Sequence, residues 1–198
     1  AVGVVRAVVE ADLQRGGDSR FAARRVGSRI IVALEPEDPD APPADETLDW
    51  VKQLADVADR LAAQQPVPVR ATALHALRQV AAPDRTARLG DDRLLGIAAA
   101  ASRTAAVGGR GEVYPRGLAA QEAVRLTLAG VSASRLQLTP ALLADRVAGR
   151  FPEAEPLPGR PALDRLIAAV DPALTWNGAT YGSPTDTRAS LLSTQHGR

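Results

Sequence analysis

Three times along this chain an apolar stripe at helical spacing runs into a short stretch that folds back about a glycine or asparagine turn. In the first unit Val2, Val5, Val9 and Leu13 recur at three- to four-residue intervals, as one side of a helix over Val2 to Gln14 requires. Gly16-Gly17 ends that helix, and a hairpin over 20–34 follows with a Gly27-Ser28 turn of type II′ composition.

In the second unit Leu48, Val51, Leu54, Ala58 and Leu61 form one stripe, with Thr47 placed to cap the helix. Pro66-Val67-Pro68-Val69 reads as an edge strand beside a wing. A helix around Leu74, Leu77 and Val80 comes next, then a loop at Pro83-Asp84. The helix from Asp91 to Arg103 carries Leu94, Leu95, Ala98 and Ala101, and a hairpin over 104–114 closes the unit.

The third unit repeats the order: a helix over 118–129, an extended Leu136-Gln137-Leu138, and a helix capped by Thr139 with Pro140 in its first turn. Leu142, Leu143 and Val147 form that helix's expected buried side. Pro161 opens the last helix, with Leu163, Leu166, Ile167 and Val170 inward, and Asn177-Gly178 signals a final hairpin.

The succession helix, strand, helix, helix, hairpin is that of a winged helix. The expected class is mainly α with small β-hairpins, in tandem winged-helix (helix-turn-helix with wing) units, since internal repetition marks supersecondary copies. The expected division is a partial unit over 1–34, an acidic Pro-rich linker over 35–46, whole units over 47–117 and 118–183, and a polar tail over 184–198. Ala, Leu and Val supply most of the apolar content, and two residues each of Phe, Trp and Tyr supply the aromatics; closely packed helices suit that palette.

The absence of Cys excludes disulfides, zinc fingers and thiol chemistry. No apolar run approaches the ~20 residues of a membrane span, so a soluble protein without membrane contact is expected, and a reducing cytoplasm fits. The chain begins with Ala and contains no Met, as expected of a piece excised from a longer polypeptide. Its net charge of +1 is uneven: +3 over 1–34, −7 over 35–64 and +5 over 65–198. All but one of the 24 basic residues are Arg, a bias that GC-rich coding explains better than function does.

Gly108-Gly109-Arg110-Gly111-Glu112-Val113-Tyr114 looks like the end of a kinase glycine-rich loop. Ala106 stands where the first glycine belongs, however, and neither a following Lys nor a catalytic His-Arg-Asp or Asp-Phe-Gly is present. The motif is read as a hairpin turn. His75 and His196 have no acid or nucleophile at motif spacing, and Asp91-Asp92 suits a helix N-terminus. No catalytic, cofactor-binding or metal-ligating residue is assigned.

Binding chemistry is more legible. A winged helix reaches DNA with its third helix and its wing, so phosphate-contacting Arg should lie on both. The candidates are Arg6, Arg20, Arg24 and Arg29 in the first unit and Arg93, Arg103 and Arg110 in the second, although wing arginines also solvate an exposed strand. In the third unit Arg160 and Arg165 share a helix with Asp164 and Asp171, while the wing carries Trp176 and Tyr181. That pair is a candidate protein-interaction site, although an aromatic cross-strand pair anchoring the wing onto its own helices is the favoured reading.

From Leu89 onward the chain resembles the C-terminal, non-kinase region of PglW-type serine/threonine kinases of bacterial phage-growth-limitation and bacteriophage-exclusion (BREX) systems. Carrying the resemblance are Asp92-Arg93-Leu94-Leu95 through Ala101-Ser102-Arg103, Val113-Tyr114-Pro115-Arg116-Gly117, and Arg150 to Leu163 with its Pro-Glu-Ala-Glu-Pro-Leu-Pro core. Phe151 stands where that family more often has Tyr. The resemblance implies a parent ATP-dependent kinase whose catalytic domain lies outside these residues. The expected partners are double-stranded DNA or, in the alternative, other proteins of the defence system, and the Ser- and Thr-bearing tail is a further candidate as a phosphate acceptor.

Overall fold

The computed structural model describes residues 21–26, 29–37, 42–83, 89–129 and 138–182, with only the backbone described at Phe21, Val26, Arg29 and Leu34. The elements are β1 (Phe21–Val26), β2 (Arg29–Leu34), α1 (Ala44–Ala62), α2 (Arg70–Arg78), α3 (Asp91–Ala101), β3 (Ala105–Val107), β4 (Val113–Pro115), α4 (Ala120–Leu128), α5 (Pro140–Arg150), α6 (Ala162–Val170), β5 (Thr175–Trp176) and β6 (Tyr181–Gly182). The described residues are mainly helical with three small antiparallel two-stranded hairpins, the class the patterning predicts and one consistent with helix-plus-wing units. The helix expected over Val2 to Gln14, the Gly27-Ser28 turn and the tail lie outside the described residues. No helix among the described residues is long and apolar enough to cross a membrane.

The chain divides into two compact units, Ala1–Val107 with Gly111–Pro115, and Gly108–Arg110 with Arg116–Arg198. In the first, α1 is the central post. Its stripe buries Leu48, Val51, Leu54, Ala58 and Leu61, which pack with Leu77 of α2, Leu94, Leu95 and Ala98 of α3, and Ala105 and Val113 of the β3–β4 hairpin. β1 pairs with β2 from Phe21↔Leu34 to Val26↔Arg29, a register that leaves two residues for the turn. The side of this hairpin carrying Arg24 and Ile31 meets α1.

Two local expectations for this unit are corrected. Thr47 does not cap α1: the helix starts at Ala44, whose N–H donates to the Glu35 carboxylate at 3.3 Å, and the Thr47 N–H donates to the Pro43 carbonyl. Asp45 and Glu46 in the first turn complement the dipole. Pro66-Val67-Pro68-Val69 joins no sheet, because prolines at alternate positions remove the donors along one strand edge. Val67 is instead buried and Val69 is 59% exposed.

In the second unit Leu118, Val124, Leu128, Leu143, Val147, Phe151, Leu163, Ile167 and Leu174 form the core. Thr139 Oγ1 accepts the Leu142 N–H at 3.1 Å, and Pro140 sits in the first turn, as expected. Leu142 departs from expectation: α5 turns Leu143 and Val147 inward and leaves Leu142 39% exposed. On α6, Leu163 and Ile167 are buried and Leu166 and Val170 half-buried. Leu138 makes a bridge with Tyr181, each N–H donating to the other's carbonyl at 3.0 and 2.8 Å, so an extended residue does flank this hairpin.

Candidate nucleic-acid interface

The geometry of α3 follows from its sequence. Leu94, Leu95, Ala98 and Ala101 face the core, so Arg93, Gly96 and Ala100 emerge on the opposite side with Arg103 just beyond the last turn, all exposed. Arg93, Gly96 and Ala100 fall at i, i+3 and i+7, one stripe about 10 Å long at the helical rise, and Arg103 follows the extended C-cap Ser102. Arg93 stands at its N-terminal end, and the rest of the stripe is a glycine and an alanine. The space where a Gly96 Cβ would sit is open, so a rigid partner can approach the backbone closely.

Arg93 forms no ion pair among the described residues, whereas Arg103 has Nε 3.7 Å from Asp59 with its side chain 66% exposed. Asp59, which belongs to no motif in the sequence, fastens α1 to the start of the β3–β4 hairpin. Its Oδ1 accepts from Ser102 Oγ at 2.6 Å, from Thr104 Oγ1 at 2.6 Å and from the Thr104 N–H at 2.8 Å. Ser102 Oγ, itself buried, accepts the Ala105 N–H at 2.6 Å. Burial alone would raise the Asp59 pKa, but the bonds from Ser102 and Thr104 outweigh it and lower it to about 2.

The N-terminal end of α3 is tied to α2. Arg78 bonds Asp91 at 2.5 Å, while Arg70 bonds Asp92 at 2.6 Å and lies 3.7 Å from Asp91. The Arg78 bond holds the Asp91 carboxyl below its usual range, and the Asp92 bond raises the Arg70 guanidinium. The pair Asp91-Asp92 thus does more than complement a helix dipole, and Arg70 and Arg78 were not among the expected site residues.

Arg24, expected to reach phosphate from the wing, is bonded to Asp49 and lies 3.5 Å from Asp45, both on α1. Arg110 is exposed at the β3–β4 turn. Arg6 and Arg20 lie outside the described residues, as does the side chain of Arg29.

The glycine-rich turn has structural causes. Within the second unit the Gly109 N–H donates to the Arg150 carbonyl at 2.8 Å, and a Cβ on Gly109 would fall 2.3 Å from the Gly149 oxygen. Gly111 has φ +79°, where an L side chain is strained, and a Cβ there would meet Arg70 at 2.9 Å.

In the second unit Trp176 and Tyr181 are cross-strand partners with centroids 5.0 Å apart. Tyr181 is 1% exposed and its hydroxyl donates to Asp164 at 2.5 Å, so it belongs to its own core and Trp176 is the accessible member. The Arg160 guanidinium lies 3.8 Å over the Trp176 ring and grips Asp164 with two nitrogens. Burial and the Asp164 bond raise the Tyr181 pKa to about 12, while bonds from Arg160 and then Tyr181 lower that of Asp164. Among the described residues no group of His, Asp and Glu could hold a metal ion.

No protein-family model and no solved structure matches this chain. Among curated proteins it is similar to the probable kinase PglW of Streptomyces coelicolor, with 33% identity over 171 residues that cover 77% of this chain and 11% of that protein. The similarity extends further than the stretch after Leu89 that carried the sequence resemblance. The chain spans about a tenth of the relative's length.

Proposed function

We propose that this chain is a non-catalytic, DNA-binding tandem winged-helix module of a multidomain anti-phage kinase of the phage-growth-limitation or BREX type, acting in the cytoplasm. Its counterpart in the relative would be the C-terminal, non-kinase region, with catalysis housed elsewhere on the polypeptide. In this reading α1, α2, α3 and the β3–β4 hairpin make one winged helix, with α3 as the recognition helix and Arg110 on its wing. The units 1–34, 47–117 and 118–183 are the repeats.

The observation that carries the reading is the outer side of α3, where Arg93, Gly96 and Ala100 form an exposed stripe about 10 Å long, with exposed Arg103 just past the end of the helix. A groove-entering helix needs cationic ends to meet phosphates and a slender middle to approach base edges. Fluorescence-anisotropy titration against random duplex DNA at low and physiological salt tests it. Binding should weaken steeply with salt, and Arg93→Glu with Arg103→Glu should reduce the slope of log K against log salt by about 0.9 for each phosphate no longer neutralised. No binding at low salt, or unchanged binding by the double variant, overturns the reading.

The alternative is an assembly module that contacts other defence proteins. The half-exposed Trp176 under Arg160 favours it, because an aromatic with a cation stacked on it suits a protein anchor. Trp176→Ala should then abolish partner capture with circular dichroism unchanged; a spectral change with the loss would assign Trp176 to the fold instead.

A further inference from the structure

The outer side of α3 carries a carboxylate as well as a cation. At about 100° per residue, Asp92 lies about 40° around the helix from Gly96 and Arg93 about 60° to the other side, so Asp92 is the charged residue nearer the open middle of the stripe. Its side chain is 88% exposed, and its Oδ1 accepts from Arg70 at 2.6 Å. Its Oδ2 makes no hydrogen bond among the described residues. Arg70 in turn fills the space that Gly111, at φ +79°, leaves beside it: a Cβ there would meet Arg70 Cγ at 2.9 Å.

An ion pair this exposed adds little to stability, so tying α2 to α3 does not account for it. What the network achieves is cancellation of charge. Asp91 and Asp92 bring two negative charges to the end of α3 that also carries Arg93, and Arg78 and Arg70 oppose them one for one. The first turn thus keeps hydrogen-bond acceptors without the net charge that repels phosphate.

We propose that Asp92 is a specificity-determining residue of the DNA contact, its Oδ2 accepting a hydrogen bond from the N4 amino group of a cytosine in the major groove; the inference rests on the proposed DNA-binding role of α3. The chemistry singles out cytosine. An ionised carboxylate only accepts hydrogen bonds. In the major groove guanine offers it two acceptors, thymine an acceptor and a methyl group, and adenine a donor set beside an acceptor, whereas cytosine presents its N4 donor. The open space at Gly96 lets the helix backbone come close enough for a side chain as short as aspartate to reach a base edge. The Arg70 bond restrains the carboxylate beforehand, so less freedom is lost on binding. Arg93 remains available for phosphate.

Selection from a duplex DNA pool with a randomised core, followed by anisotropy on enriched duplexes, tests the assignment. The parent chain should enrich cytosine at one position, and changing that base pair in an enriched duplex should weaken binding about fivefold or more. Asp92→Asn, whose amide matches the paired donor and acceptor of adenine, should move the preference at that position to adenine, and Asp92→Ala should flatten it. Both variants should keep the parent's circular dichroism and bind the unselected pool at least as tightly, because a negative charge has been removed. Binding to the pool with no cytosine preference, or a preference that both variants retain, overturns the proposal and leaves DNA binding by α3 standing. No binding to the pool at low salt overturns the DNA-binding reading and the proposal with it.

Discussion

Replacing Asp59 by Asn keeps the side-chain shape and removes the charge that gathers Ser102 and Thr104 at the α1–β3 junction. Its side chain is only 17% exposed, so solvent screens those bonds weakly. Holding a carboxyl at about 2 rather than 3.8 corresponds to about 2 kcal/mol of folded-state preference at ~1.4 kcal/mol per pH unit. The folded pKa is depressed, so between pH 4 and 2 the unfolded chain binds the proton more readily. The contribution is therefore complete above about pH 4 and is lost as pH falls toward 2. Urea unfolding followed by Trp50 fluorescence in a Trp176→Phe background reads the first unit, because Trp50 lies in its core. At pH 7 Asp59→Asn should lower the midpoint by about 1 M, given slopes of about 1–3 kcal/mol per molar, and the gap from the parent should close as pH is lowered to 2. A gap that is absent at pH 7, or as large at pH 2.5 as at pH 7, would refute the claim that a charged acceptor holds this junction.

Further outcomes concern the second unit, read by Trp176 fluorescence in a Trp50→Phe background. Thr139→Ala removes the cap on α5 and should cost about 1 kcal/mol in urea unfolding, with Thr139→Ser restoring most of it. Gly109→Ala drives a methyl group to 2.3 Å from the Gly149 oxygen and should cost about 1–3 kcal/mol, whereas Gly96→Ala, whose surroundings are open, should be neutral or slightly stabilising by helix propensity. Tyr181→Phe deletes the bond to Asp164 and should cost about 1 kcal/mol while the Arg160–Asp164 pair persists; loss of the hairpin's circular-dichroism signal would show that the hydroxyl holds the fold.

What the sequence made legible was local and periodic. The α1 stripe, the Thr139 cap, the core side of α3 and the Trp176–Tyr181 pair all lie within one helical or strand repeat of the residues that define them. What stayed hidden was set by distance along the chain. Asp59 meets Ser102 and Thr104 from 43 and 45 residues away, and Glu35 reaches Ala44 across an acidic stretch whose composition reads as linker. Leu142 was misplaced for a different reason: the cap fixes where α5 starts, but neighbouring leucines differ by about 100° around a helix, and only packing decides which one turns inward. Among the candidate arginines, the sequence named Arg93 and Arg103 in the second unit but could not show that Arg103 falls past the end of α3 or that Arg24 already faces Asp45 and Asp49.

The pairing of Arg24 bears on DNA binding in a measurable way. An exposed arginine–carboxylate pair is worth only about 0–1 kcal/mol, so Arg24 can exchange Asp49 for a phosphate at little cost. The exchange also exposes a carboxylate near the DNA backbone, which draws counterions back and repels the phosphates. An arginine without an ion pair among the described residues brings no such penalty there, so Arg93 should dominate the salt dependence and Arg24 should add little to it. In the anisotropy titration, Arg93→Ala should therefore flatten the salt slope by about 0.9, while Arg24→Ala leaves it nearly unchanged. If Arg24→Ala flattened the slope as much as Arg93→Ala, the hairpin rather than α3 would be the principal contact with phosphate.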